Sequence, residues 1–148
     1  RIVMPAITLH DIGFLYGASG KTHCAVGARK LKTYLKKIRV SCPASLIKRL
    51  AACIKTHKGR FFNLRPQSLE SKVIADADIL EAIVTIGVYK IIRTHTEFDK
   101  PIEVIIARGK LAAKTFFETA TGRRLARPGR KINQRFFTAL AKAYRSYQ

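Results

Sequence analysis

Hydrophobic positions along this chain recur about every 3.6 residues and rarely alternate, a pattern of helices rather than strands. Ala25, Ala28, Leu31, Leu35 and Ile38 share one face of a predicted helix, with Arg29, Lys32, Lys36 and Lys37 largely on the other. Pro43 fits the first turn of a second helix. Along it Ile47, Leu50 and Ile54 form a stripe that His57 continues, and Gly59 ends it. Residues 60–68, with Asn63, Pro66 and Ser68, read as a loop.

A mostly apolar helix is expected from about Glu70 to Thr94, with a break near Asp76. Asp99 is placed to cap the next helix, with Pro101 in its first turn and Ile102, Ile105, Ile106, Gly109, Ala113 and Phe116 on its buried side. "TATGRRLARPGRK" reads as a connector because Gly122, Pro128 and Gly129 are helix breakers. Ile132, Phe136, Leu140 and Tyr144, each four residues apart, form the apolar face of a last helix. The pattern predicts an all-α fold, a single domain over residues 1–148 with a basic C-terminal extension, 119–148, packed on it.

Composition narrows this picture. The 148 residues suit about one domain. The longest apolar runs are too short to span a bilayer, so no membrane partner is expected. A first residue of Arg rather than Met suggests a processed or trimmed chain. Cys24, Cys42 and Cys53 are odd in number and lack a C-x-x-C pair. They point to buried thiols in a reducing compartment, cytoplasm or organelle matrix, rather than to a disulfide framework or thiolate zinc site.

Charge changes the functional expectation. Lys and Arg number 29 against 9 Asp and Glu, a formal +20. Residues 12–69 hold thirteen basic side chains and no acid, and the eight basic residues after Glu118 again have no acid among them. Such density attracts polyanions and is typical of nucleic-acid partners.

Two motifs compete near the N-terminus. GASGKT (residues 17–22) looks like the end of a phosphate-binding loop, but the first glycine of that loop would fall on Leu15, and no buried strand precedes it. Gly17, Ser19 and Gly20 are read instead as a turn. The alternative gathers His10, Asp11, His23, His57, Asp76 and Asp78. Imidazole with carboxylate suits divalent Mn, Fe, Zn, Ni or Co. Gly13 permits a turn that lets His10 and Asp11 reach one centre. His57 extends an apolar stripe and so faces inward. Asp76 and Asp78 interrupt "KVIADADILEAIV", where an uncompensated carboxylate is costly.

The order "PAITLHDIG", "HCAVGARKLKTYL", "AACIKTHKG", "SLESKVIADADILEAI" and, more loosely, "FFETATGRRLARPGRKINQRFFTAL" resembles the HD superfamily of metal-dependent phosphohydrolases over nearly the whole chain. The resemblance implies an HD-like helical bundle with a divalent metal centre (Mn, Fe, Zn, Ni, Co or Mg) between helices. It places metal ligands at His10, Asp11 and Asp78, with His23 and His57 at the positions that serve a second metal, and makes Asp11 the bridging and catalytic residue. The family pattern begins with another histidine upstream of the His-Asp pair; none of the nine residues before His10 is His. Lys21, Lys58 and Arg60 lie close in sequence to the histidines and are candidate phosphate contacts.

Two functions follow. One is hydrolysis of a phosphate ester, nucleotide or RNA. The other is a catalytically inactive, strongly basic RNA-binding structural protein in a ribonucleoprotein assembly, such as an organellar ribosome component. Arg29, Lys32, Lys36, Lys37, Arg123, Arg124, Arg127, Arg130 and Lys131 would then meet phosphates.

Overall fold

The computed structural model describes residues 2–148, and among these all regular structure is helical. Packing divides the chain into two compact units, Arg1–Asp78 and Ile79–Gln148.

The first unit contains α1 (Val3–Leu9), α2 (His23–Lys37), α3 (Ala44–Thr56) and the start of α4 (Leu69–Ile83). Short 3-10 turns at Ile12–Tyr16 and Gly59–Phe62 follow α1 and α3. Its core joins Ile2, Ala6, Ile12, Leu31, Leu35, Leu50, Cys53, Ile54 and Ile74. On α2 the buried line is Cys24, Gly27, Leu31 and Leu35. Ala25 and Ile38, expected on that face, are exposed, because the buried arc is centred on Gly27, where the backbone comes close to another segment. Arg29, Lys32, Lys36 and Lys37 face solvent as expected.

Helix ends follow local chemistry. Pro43 is the residue before α3, with ψ 143, one position earlier than the expected first turn. Pro101 occupies the same position before α6. Gly59 takes φ +49 after His57 and closes off α3. Asp99 sits at φ 50 in a left-handed turn instead of capping α6.

The second unit contains the end of α4 with α5 (Thr85–Glu97), α6 (Ile102–Lys114) and α7 (Ala120–Ser146). Ile79, Ile83, Val88, Ile91, Ile105, Ala112, Phe117, Ala126 and Phe137 form its core. The helix expected to break near Asp76 continues through it and breaks at Val84, which is extended at ψ 170. Gly87 makes that break possible: a Cβ there would lie 2.4 Å from the Ala82 carbonyl group.

The largest correction concerns residues 119–131. The expected connector is helical, capped by Thr119, whose side chain accepts a hydrogen bond from the Gly122 amide at 2.9 Å. Pro128 lies on the exposed side within α7. Gly122, Ala126, Gly129, Asn133 and Phe137 form the buried line. The expected stripe is displaced from it: Ile132 and Phe136 are 46% and 40% exposed, and Leu140 is half-buried. Small residues win that face because helices approach closely there. A Cβ on Gly109 of α6 would meet the Phe137 ring at 2.2 Å, and one on Gly129 would meet the Ile83 carbonyl oxygen at 2.6 Å. Residues 120–146 are thus an integral helix of the second unit.

Candidate metal centre

The five residues expected to bind metal come together, all within the first unit. His10 caps the C-terminus of α1, Asp11 precedes the first 3-10 turn, and His23 opens α2. His57 caps the C-terminus of α3, and Asp78 lies on α4. His23 and His57 are 1% and 0% exposed.

Three backbone carbonyls set the imidazoles. Each ring uses Nδ1 toward the carbonyl three residues earlier: His10 to Ile7 at 2.5 Å, His23 to Gly20 at 2.8 Å and His57 to Ile54 at 2.7 Å. A carbonyl oxygen only accepts, so each Nδ1 is the protonated nitrogen and each Nε2 points inward. The same device orients metal-ligating histidines, whose second nitrogen is held by a carbonyl or carboxylate.

The inward atoms converge. His23 Nε2 and His57 Nε2 lie 3.1 Å apart. Asp11 Oδ1 is 3.3 Å from the first and 3.5 Å from the second. This oxygen is closed off from solvent and receives no hydrogen bond. A buried carboxylate oxygen without a donor is costly, and neutral rings of this tautomer face each other lone pair to lone pair. A cation among the three atoms removes both penalties. The spacing fits: a tetrahedral ion with bonds of about 2.0–2.1 Å to N and O sets its ligand atoms roughly 3.3–3.4 Å apart.

The other Asp11 oxygen, Oδ2, is 3.3 Å from His10 Nε2, which in turn is 3.6 Å from Asp78 Oδ1. Hydrogen bonds to Asp11 and Asp78 raise the His10 pKa from 6.5 to about 10. Burial works to raise the Asp11 pKa, but its interactions with His10 and His57 and the charge of Lys58 hold it well below the carboxylate range. Burial and the charge of His57 push His23 below 6.5. Burial would likewise raise Asp78, yet His10 and Lys58 keep it low.

Lys58 is committed within this cluster. Its ammonium donates to both Asp78 oxygens, at 3.0 and 2.9 Å. The expected phosphate contact is therefore bound to a carboxylate of the centre.

Cys24, expected as a plain buried thiol, also reaches the centre. Its Sγ is 3.5 Å from His23 Nε2 and 3.8 Å from His57 Nε2. His23, Cys24 and His57 form a buried cluster able to hold a metal ion. Burial pushes the Cys24 thiol pKa up, which keeps the proton on sulfur. The adjacency of His23 and Cys24 at a helix start was the available signal. Beside Cys24 opens a cavity of about 360 Å³ lined by Lys21, Lys55 and Phe62 among others. Lys21 was expected at such a place; Lys55 was not. Arg60 lines an adjoining cavity of about 410 Å³ with Arg65 and with Asn63 and Leu64, which border both.

The remaining basic candidates fall into two groups. Arg123, Arg124, Arg127 and Lys131 are exposed on α7. Arg130 is half-buried, donates to the Thr115 carbonyl and stacks over Phe117 with its guanidinium carbon 5.1 Å from the ring centre. It is thereby turned away from an outside phosphate. Among the described residues no helix is long and apolar enough to cross a membrane. Comparison with protein-family models, with curated proteins and with solved structures returns no match.

Proposed function

We propose that the first unit carries a metal-dependent phosphohydrolase centre of the HD type, acting on a phosphate ester, nucleotide or RNA. One observation carries this reading: Asp11 Oδ1, His23 Nε2 and His57 Nε2 stand 3.1–3.5 Å from one another, and the buried carboxylate oxygen has no hydrogen-bond partner. Two imidazoles and a carboxylate favour Mn, Fe, Zn, Ni or Co. Such an ion supplies Lewis acidity toward a phosphoryl oxygen and acidifies a water molecule.

The chain's own residues do the rest. Asp11 fixes the two halves of the centre through its separate oxygens. His10 holds a proton at Nε2 beside Asp11 Oδ2, within the cluster where a leaving oxygen needs one. Lys21 and Lys55 line the cavity that Cys24 shares and neutralise an anionic substrate there.

The test is metal content of purified protein together with hydrolysis of a phosphodiester and nucleotide panel in Mn²⁺. One equivalent of bound metal and metal-dependent release of phosphate are expected; a protein that takes up no metal overturns the reading. Metal affinity also has an expected pH profile. Asp11 is ionised throughout, and burial keeps His23 neutral at pH 6.5 and above, so neither of these two groups holds a competing proton around neutrality. Affinity measured from pH 9 to pH 6.5 should be nearly flat and fall only in more acid solution. Were His10 a ligand, its proton, held to about 10, would have to leave. Affinity would then climb roughly tenfold per pH unit across neutrality.

A second reading has its own support. All eight basic residues after Glu118 lie in α7, and no acid accompanies them. Seven are exposed, spread from Arg123 to Arg145, which is about 33 Å of helix. This face favours an RNA-binding structural protein, such as a component of an organellar ribosome. Its log affinity for a generic RNA is expected to fall with log salt at a slope of about −3 or steeper. Arg127→Glu, Lys131→Glu and Arg135→Glu together should flatten that slope by about 2. A salt-independent affinity would remove this reading.

A further inference from the structure

We propose that the Lys58 ammonium is a built-in substitute for a second metal ion, so that the centre takes one cation, on the His23–His57 side of Asp11. This rests on the metal reading above and sharpens it.

The geometry has two halves joined by one carboxylate. Asp11 Oδ1 faces His23 and His57, at 3.3 and 3.5 Å. Asp11 Oδ2 faces His10, which also approaches Asp78. His10 and Asp11, which with His57 form a second group able to hold a metal ion, and Asp78, 3.6 Å from His10, therefore outline a second position with donors suited to a divalent ion. The two halves differ in one respect. The first ends in a carboxylate oxygen that accepts no hydrogen bond. In the second, both Asp78 oxygens are already engaged by the Lys58 ammonium at 3.0 and 2.9 Å.

The chain delivers this cation by construction. Lys58 directly follows His57, so the turn that carries the His57 ring to one half carries the lysine to the other. The Asp78 side chain is 11% exposed and that of Lys58 24%. A carboxylate so enclosed needs a permanent positive partner. A dication entering the second half would have to strip the ammonium from Asp78 or sit beside it against like charge. Both are unfavourable in a partly dehydrated site. A lysine charge is fixed to the chain, whereas an ion exchanges with solvent. The second half is thus neutralised whatever metal is available.

The experiment is titration of metal-free protein with Zn²⁺ and with Mn²⁺, with bound equivalents counted by native mass spectrometry and calorimetry. The wild-type chain is expected to bind one equivalent. Lys58→Met, which frees Asp78, is expected to bind two. Lys58→Arg retains the charge and is expected to stay at one, which also keeps the idea testable should the methionine variant fail to fold. Two equivalents in the wild type, two in Lys58→Arg, or one in a folded Lys58→Met would overturn the inference while leaving the metal reading intact. No bound metal in the wild type would overturn both.

Discussion

On the proposed reading, Asp11→Asn is expected to abolish metal binding and, with it, any phosphate-releasing activity. Loss of an outer hydrogen-bond partner at a metal site typically lowers affinity about 10–100-fold. On the proposed reading Asp11 is itself a ligand. Its Oδ1 is one of three converging donor atoms, and its Oδ2 pairs with His10. The loss should therefore exceed about a hundredfold, read by calorimetry with Zn²⁺ or Mn²⁺. The asparagine is nearly isosteric, so helical content should be retained. A variant that binds metal within a few-fold of wild type would remove Asp11 from the centre.

The same substitution has a second readout without metal. The Asp11 hydrogen bond is the main cause of the raised His10 pKa. Without it, His10 should titrate below about 10 in an NMR titration, with the Asp78 hydrogen bond still raising it. The linkage sign is fixed by the direction of that shift. A folded-state pKa raised from 6.5 to about 10 contributes stability in full below pH 6.5, and that contribution disappears as pH rises toward 10. The metal-free wild type should thus lose stability over this window, and Asp11→Asn should lose less.

The helical fold was legible because large apolar side chains at helical spacing leave few alternatives. Leu31, Leu35, Leu50, Ile54, Ile105 and Ile106 are all buried as that spacing requires. Legibility failed where packing runs on small residues. Gly122, Ala126 and Gly129 supply a buried face through absence of bulk, and a pattern of hydrophobicity does not register absence. Local breaker rules then pointed to a connector, while tertiary burial kept the helix.

At the centre, the five ligand candidates could be picked out from their types and order along the chain. What they do to one another could not. That Lys58 pairs with Asp78, twenty residues away, is a fact of tertiary structure, as is Cys24 touching His57. The two kinds of error share a cause. Periodicity and composition describe each segment alone, whereas close approach between segments decides both the α7 face and the partner of Lys58.

Gly13 is the position where fold and centre depend on the same close approach, and Gly13→Ala is the second large effect expected. Its role differs from the turn first assigned to it: the glycines with positive φ are Gly17 and Gly59. A Cβ on Gly13 would instead meet the His23 carbonyl oxygen at 2.1 Å and the His23 Cα at 2.8 Å. These are backbone atoms, which no rotamer change can move aside. Gly27 completes the contact from the other side, where an added Cβ would lie 3.1 Å from the Gly13 nitrogen. The alanine must push the first 3-10 turn off the start of α2. Overpacking usually costs about 1–3 kcal/mol, and a backbone obstacle belongs at about 3 or above. For a chain of this size that is a fall in Tm of about 10 °C. The displaced segments carry Asp11 and His23, so a Gly13→Ala protein that still folds should also bind metal at least about tenfold more weakly. Gly20→Ala is the control, since its Cβ would meet nothing within 4 Å, and it should stay within about 0.5 kcal/mol of wild type. If Gly13→Ala melts and binds metal like the wild type, the close approach of Asp11's segment to His23 is not what builds this centre.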